Sequence, residues 1–228
     1  MPPIYLTSDL LSYKRKPNLF NPLLKTTATD PYAINTVLNI RGDGLDYGIL
    51  SLTPSLLDTN PPVISAVQSK YGGSSLYFDA TNSWLSVNDP QLALGTDPFT
   101  IEFWSYKTVG TNDGAFSLGT SSSNYSVNGG NITGSGLTYR TIKGVNAFTY
   151  PLNQWNHIAV VREGTSTDQT KTYLNGTLEF SQTLSDNFTE EFVNIGIYAG
   201  SLYCWEGWIN AFRITKGVAR YTANFDPE

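Results

Sequence analysis

From residue 36 onward the chain reads as short runs of alternating apolar and polar positions broken by turn residues, the pattern of strands with one buried face. "FTIEFWSY" (99–106) puts Phe99, Ile101, Phe103 and Ser105 on one face. "SLYFDA", "WLSV", "AFSLG", "GLTYRTI", "WNHIAVVRE", "KTYLNGTLEF" and "FVNIGIYA" have the same character. "GWINAFRIT" (207–215) alternates Trp208, Asn210, Phe212 and Ile214 against Ile209, Ala211 and Arg213 and predicts a last strand. "TKGVARYTANF" then leaves the fold, with Lys216 and Arg220 expected on the surface. Asn-Gly in "YLNGTL" predicts a two-residue type I′ hairpin, because both central residues need positive φ. "NDGAF" around Asp113 and Gly114 predicts a second such turn. No run has the period of an amphipathic helix, and "DPQLALG" allows a single helical turn. Trp84, Trp104, Trp155 and Trp208 all fall inside strand patterns, which places them in the core. Many short strands at regular spacing predict a sandwich or jelly roll.

Residues 1–34 differ. Pro2, Pro3, Pro17, Pro22 and Pro31 are too frequent for a central strand or a long helix. The segment reads as an extended anchoring arm ahead of a domain at 35–228. Its "YKRKP" is the densest basic run in the chain. Lys14, Arg15 and Lys16 would dock on an acidic neighbour while Leu19 and Phe20, with Leu23 and Leu24, fill an apolar groove. The alternative is a solvated basic stretch.

Charged residues make up only 14% of the 228, aromatics 13%, and the formal net charge is -5. An acidic balance argues against a nucleic-acid partner. Cys204 is the single cysteine, so no intrachain disulfide supports the core. "MPPIYLTSDL" lacks a signal peptide's basic and apolar regions, and no apolar stretch is long enough to span a bilayer. The expectation is a protein made in a cytoplasm, without a membrane partner.

Six segments together resemble the LamG-like, concanavalin A-like jelly roll found in phage virion proteins. They are "SKYGGSSLYFDATNSWLSV", "FTIEFWSY", "QWNHIAVVREG", "TYLNGTL", "IGIYAG" and "GWINAFRITKGVARYTANF", in the family's order. The resemblance implies an all-β fold of two antiparallel sheets stacked face to face, one often concave and used for glycans. Family members often carry an acid in the last strand where this chain has Asn210, which weakens a metal-assisted role there.

The same fold includes glucan hydrolases, which need two carboxylates about 5 Å apart on one face. No strand here offers the pair: Glu102 stands alone, and Glu190 and Glu191 are adjacent and point to opposite faces. His157 is the single histidine and no G-x-S-x-G elbow accompanies it, so it reads as a strand residue beside Trp155. One His and one Cys cannot make a zinc site. Cys204 reads as a small packed residue. Calcium could be held by Asp43 in "RGDGLD" or Asp79 in "YFDATN", whose alternative role is to cap turns. For glycans the candidates are Tyr125 and Asn128 in the polar segment 117–137, and Tyr198, Tyr203 and Trp205 in "IYAGSLYCWEG". The alternative puts Tyr198 and Trp205 in the core or its rim. The reading is a non-enzymatic structural protein of a phage virion, joined to other virion proteins in a multimeric assembly by its arm, with a lectin-like domain facing host glycans. A free-standing carbohydrate-binding protein is the alternative, and a polysaccharide-degrading enzyme the third.

Overall fold

A computed structural model describes residues 4–5, 30–52, 61–109, 114–118, 127–129, 131–133, 138–140, 147–197 and 204–227. Among them there are sixteen strands, two 3₁₀ turns and no α-helix. In chain order the strands are β1 (Ile4–Tyr5), β2 (Thr36–Ile40), β3 (Val63–Ser65), β4 (Ser75–Asp79), β5 (Leu85–Asn88), β6 (Phe99–Tyr106), β7 (Phe116–Leu118) and β8 (Val127–Gly129). They continue with β9 (Asn131–Thr133), β10 (Thr138–Arg140), β11 (Ala147–Thr149), β12 (Trp155–Arg162), β13 (Thr170–Leu174), β14 (Thr177–Gln182), β15 (Phe192–Ile195) and β16 (Glu206–Lys216).

Among the described residues every pair of strands is antiparallel. The larger sheet runs β1-β3-β4-β16-β6-β12-β13-β14, with β2 also on β16; the smaller runs β5-β15-β7-β8, and β9 to β11 form a third, three-stranded sheet. The larger sheet directs Leu38, Leu76, Phe78, Phe99, Ile101, Phe103, Ile158 and Val160 at Leu85, Val87, Phe116, Val193 and Ile195 of the smaller one. The result is the all-β jelly-roll sandwich expected from the alternation. β6 is central: Phe103 stacks on Phe212 at 5.7 Å and meets Phe116 edge-on at 5.9 Å. The predicted helical turn is Pro90–Leu92, capped by Asp89 accepting from the Gln91 N–H.

β16 does not keep one alternation. Its register shifts between Asn210 and Arg213, and Ala211 sits at φ 53°. A bulge inserts one unpaired residue and turns the following side chains over. Phe212 and Ile214 therefore enter the core, whereas Trp208 and Asn210 lie on the opposite face. The sequence expectation that these four share a face is corrected by that one extra residue.

The hairpin over Asn175 and Gly176 forms as predicted, with φ of 49° and 78°. Gly176 has a second duty. A Cβ there would lie 1.7 Å from the Phe225 carbonyl oxygen, and the Phe225 N–H donates to the Gly176 carbonyl at 3.0 Å. The C-terminal segment thus folds back across the sheet. Tyr221 and Phe225, stacked 3.5 Å apart, pack with Ala219 on Ala159, Val161 and Tyr173. The exit expected to run free over the surface is a cover.

Candidate functional site

The outward face of the larger sheet carries three tiers of side chains. Strand register sets each tier, because directly paired residues point to the same side.

The first tier is an aromatic row. Tyr77 pairs with Trp208, Trp208 with Tyr106, and Tyr106 with Trp155, so four aromatic residues from β4, β16, β6 and β12 stand side by side. All four are partly exposed. Ring centroids are 4.8 Å apart for Tyr77 and Trp208, tilted at 41°. They are 5.7 Å apart for Trp208 and Tyr106, at 83°, and 5.7 Å for Tyr106 and Trp155, at 62°. The Trp208 indole N–H donates to Ser65 Oγ at 3.2 Å, which fixes the ring toward β3. Gly207 lets β16 reach β6 here: at φ 137° it accepts what a side chain would not, and a Cβ would meet the Tyr106 carbonyl oxygen at 2.4 Å. On the outer flank of the row Glu206 pairs with Asp79. Burial, then the charges of Glu206 and Asp79, push the Tyr77 phenol above its ordinary value.

The second tier is Asn210, Trp104 and His157, again in register. The loop carrying Lys70 and Tyr71 folds onto it. Asn210 Nδ2 donates to the carbonyls of Tyr71 at 3.2 Å and Ser74 at 2.7 Å. Lys70 Nζ rides 3.7 Å from the Trp104 ring centroid, a cation–π contact.

The third tier is a closed ionic cluster. Glu102, only 3% exposed, takes 2.8 Å contacts from Arg213 Nε and Nη2 and accepts from Tyr221 Oη at 2.8 Å, with His157 Nε2 at 3.2 Å. Arg213 and Arg220 both also hold Asp30. Burial would raise the Glu102 carboxyl, but the His157 hydrogen bond and the charges of Arg213, His157 and Arg220 bring it down to about 2. Such a group is an anion at neutral pH, and the C-terminal segment covers it. Arg220 is 6% exposed, so its expected place on the surface is corrected: the Asp30 and Glu102 carboxylates draw it inward.

The residues named from the sequence fare unequally. Trp205 is fully buried in the core, its ring facing Tyr150 edge-on at 6.5 Å and Lys107 Nζ at 4.1 Å, and cannot stack on a ligand. Asn128 lies on β8, where its backbone pairs with Ser117 of β7. Tyr125, Tyr198 and Tyr203, and the arm's Lys14, Arg15, Lys16, Leu19 and Phe20, lie outside the described residues. Asp43 accepts from the Leu45 N–H and from Tyr47 Oη, and Asp79 from the Thr81 N–H and hydroxyl. Both cap turns. Among the described residues no three His, Cys, Asp or Glu side chains gather as metal ligands. Cys204 is buried, as a small packed residue.

Trp155 and Trp208, assigned to the core from their strand context, are corrected to the outward row. The signal was present in "FTIEFWSY": its second face, Thr100, Glu102, Trp104 and Tyr106, is as aromatic as it is polar. Strands with large apolar residues on both faces are covered twice or left available to a ligand.

This arrangement defines a jelly-roll domain with an aromatic platform on one sheet. Residues 79–220 match the family model of the concanavalin A-like lectin/glucanases superfamily, and the chain belongs to that family. No curated protein matches it by sequence. Among solved structures it is similar to domain 4 of AbnA, a GH43 extracellular arabinanase from Geobacillus stearothermophilus, in complex with arabinotriose. Identity there is 14%, with 81% of this chain and 94% of that one covered and a TM-score of 0.60. It is also similar to the receptor binding domain of botulinum neurotoxin D (14% identity, 82% and 51% covered, TM-score 0.57). The binding domain of serotype G is comparable (15%, 85% and 48%, TM-score 0.54). The chain spans about half the length of these toxin domains. At such identities the likeness is one of fold.

Proposed function

We propose that this chain is a non-catalytic glycan-binding domain whose ligand lies on the row Tyr77–Trp208–Tyr106–Trp155. One observation carries the reading: four aromatic residues aligned across four strands remain partly exposed on a sheet face. Sugar rings present apolar C–H faces that stack on aromatic faces, and hydroxyls at their edges that pair with the flanking Glu206 and Asp79. The similarity to a domain solved with arabinotriose supports the same class of ligand. Against catalysis stands the state of Glu102, the buried carboxylate of this face, which is paired and covered. Calorimetric titration with a panel of soluble polysaccharides, arabinan included, tests the reading. Binding that is lost in Trp208→Ala at unchanged melting temperature is expected. Binding that survives this change would sink it.

The finer part of the proposal is that residues 1–34 hold the domain on a phage particle. The proline-spaced, locally basic sequence of that segment and the virion-type motif series support it. The two described pieces of the segment both touch the domain's own sheet: Ile4–Tyr5 pairs with β3, and Asp30 with Arg220. Glycan binding therefore comes first and particle anchoring second. Deleting residues 1–30 should abolish incorporation into particles; unchanged incorporation would refute the anchoring.

A further inference from the structure

We infer that this chain self-associates head to tail: the apolar part of one copy's arm, Leu19 and Phe20 with Leu23 and Leu24, seats on an apolar strip at the edge of a second copy's larger sheet. The inference rests on the arm being a docking segment, as proposed above, and is independent of the glycan reading.

The strip is Leu45, Tyr47 and Ile49. Residues 45–49 run antiparallel to β2: Asp46 bridges Ile40, the Tyr47 N–H donates to the Asn39 carbonyl at 2.9 Å, and the Ile49 N–H to the Thr36 carbonyl at 2.8 Å. Burial along them alternates strictly, but in the reverse sense to a solvent-facing edge. Asp46 and Gly48 are buried, whereas Leu45, Tyr47 and Ile49 are 47%, 46% and 53% exposed. Ile34, just ahead of β2, is 78% exposed. Four of the eight large exposed apolar side chains among the described residues thus fall in one stretch, which makes them a patch rather than scatter.

The register is locked in that sense. Asp46 Oδ1 accepts the N–H groups of Asn39 at 2.8 Å and Gly48 at 2.7 Å, and Oδ2 accepts that of Leu52 at 2.7 Å. Gly48 lies so close to β2 that a Cβ would meet the Val37 carbonyl oxygen at 2.7 Å. A slip by one residue would turn the apolar side chains inward but would break the hydrogen bonds of a buried carboxylate. Tyr47 is held on the strip by its Oη donating to Asp43 at 2.6 Å and by Arg41, 4.1 Å from the ring centroid. An edge that buries an aspartate in order to turn Leu, Tyr and Ile outward is built to be covered.

The arm has the complementary chemistry. Residues 6–29 lie between two points fixed on the larger sheet, Tyr5 paired with β3 and Asp30 bound to Arg220. A stretch of that length tethered at both ends can reach about 40 Å at its middle. Lys14, Arg15, Lys16, Leu19 and Phe20 stand around that middle. Of the chain's 14 basic and 19 acidic residues, four and one fall in residues 1–29, which leaves ten and eighteen in residues 30–228. A basic arm is therefore steered toward the acidic body of a neighbour, and its leucines and phenylalanine match the strip. Within one chain the strip is exposed, which leaves it to another copy's arm. Arm and strip are different patches, so the contact is heterologous and repeats from copy to copy.

The test is light scattering with size exclusion on the full chain over a range of concentrations. The parent should associate, and less tightly as salt is raised. Ile34→Ser/Ile49→Ser on the strip and Phe20→Ser on the arm should each weaken association about tenfold while melting near the parent. Ile34→Ser alone, at the most exposed of these sites, serves if the double variant does not fold. Mixing the strip variant with the arm variant should restore pairing, and the pairs should stop at two copies, because one variant still offers an arm and the other a strip. A parent that is monomeric at every concentration overturns the inference, as a strip that takes its own arm or another protein would give. Association untouched by either variant, or variants that do not pair when mixed, overturns it as well, the last being the sign of strip meeting strip. A chain that is monomeric yet enters particles through residues 1–30 loses this inference and keeps the anchoring reading.

Discussion

Replacing Glu102 by Gln keeps the side chain's shape and removes its charge from a site where it faces two guanidinium groups. Its folded carboxyl lies at about 2 against an ordinary 4.5, which at about 1.4 kcal/mol per unit corresponds to roughly 3 kcal/mol of stability. Removing one partner from a buried ion pair typically costs about 3–5 kcal/mol, so a second route gives the same size. The sign follows from the depressed value. The folded protein binds this proton more weakly than the unfolded chain, so the stabilisation is complete above pH 4.5 and disappears as pH falls toward 2. Urea unfolding of the parent and Glu102→Gln between pH 7 and pH 2 measures it. At pH 7 the variant should be less stable by about 3 kcal/mol, and the gap should close across that acid window. Asp30, whose carboxyl is also held down with Arg220 as a partner, shares Arg213 and Arg220 with Glu102, so the same profile of Asp30→Asn is needed to separate its share of the acid window. Parallel pH profiles with a constant gap would refute the assignment of Glu102 as the buried anion.

Three further substitutions separate the parts of the molecule. Trp205→Ala should cost about 3–5 kcal/mol in denaturant unfolding, because that ring is fully buried; a loss under 1 kcal/mol would place Trp205 outside the core. Phe225→Ala should cost about 2 kcal/mol and speed amide exchange at residues 217–227, since Phe225 stacks on Tyr221 and meets Tyr173; unaltered exchange would show that the C-terminal segment is held by other contacts. Ala211→Gly should stabilise by about 0.5 kcal/mol, the relief of positive φ outweighing the entropy of glycine, and a loss would mean that the Ala211 methyl is itself packed.

The alternation in "FTIEFWSY" and the Asn-Gly hairpin were readable because each is a local pattern with one structural solution. Period two reports that a strand has two faces; it does not report which face a second sheet will cover. Trp155 and Trp208 were misplaced for that reason, whereas Trp205, for which the sequence left both a glycan-facing and a core position open, takes the core one. The bulge at Ala211 was illegible for a different reason. Alanine has no special liking for positive φ, and the insertion is imposed by pairing with β2 and β6 on either side. The ionic cluster could not be read either, because Asp30, Glu102, His157 and Arg220 are distant in sequence and meet only once the C-terminal segment has folded back.

That one bulge also divides the outward face by chemistry. Before it, β16 turns Trp208 and Asn210 outward and leaves a surface of aromatic rings beside β4, β6 and β12. After it, the same strand turns Arg213 outward, and Arg213 joins Glu102, Asp30 and Arg220 in an ion cluster sealed by Tyr221. Arg213 and Arg220, two of the basic residues near the C-terminus, are thereby consumed in holding the cover down. What remains open to a ligand is the aromatic half with its acidic flank. Affinity there must come from stacking and hydroxyl hydrogen bonds, so it should change little between low and high salt. An anionic ligand held by Lys70 would instead weaken steeply as salt is raised. Binding of the preferred glycan at two ionic strengths therefore separates the two, independently of which sugar it proves to be.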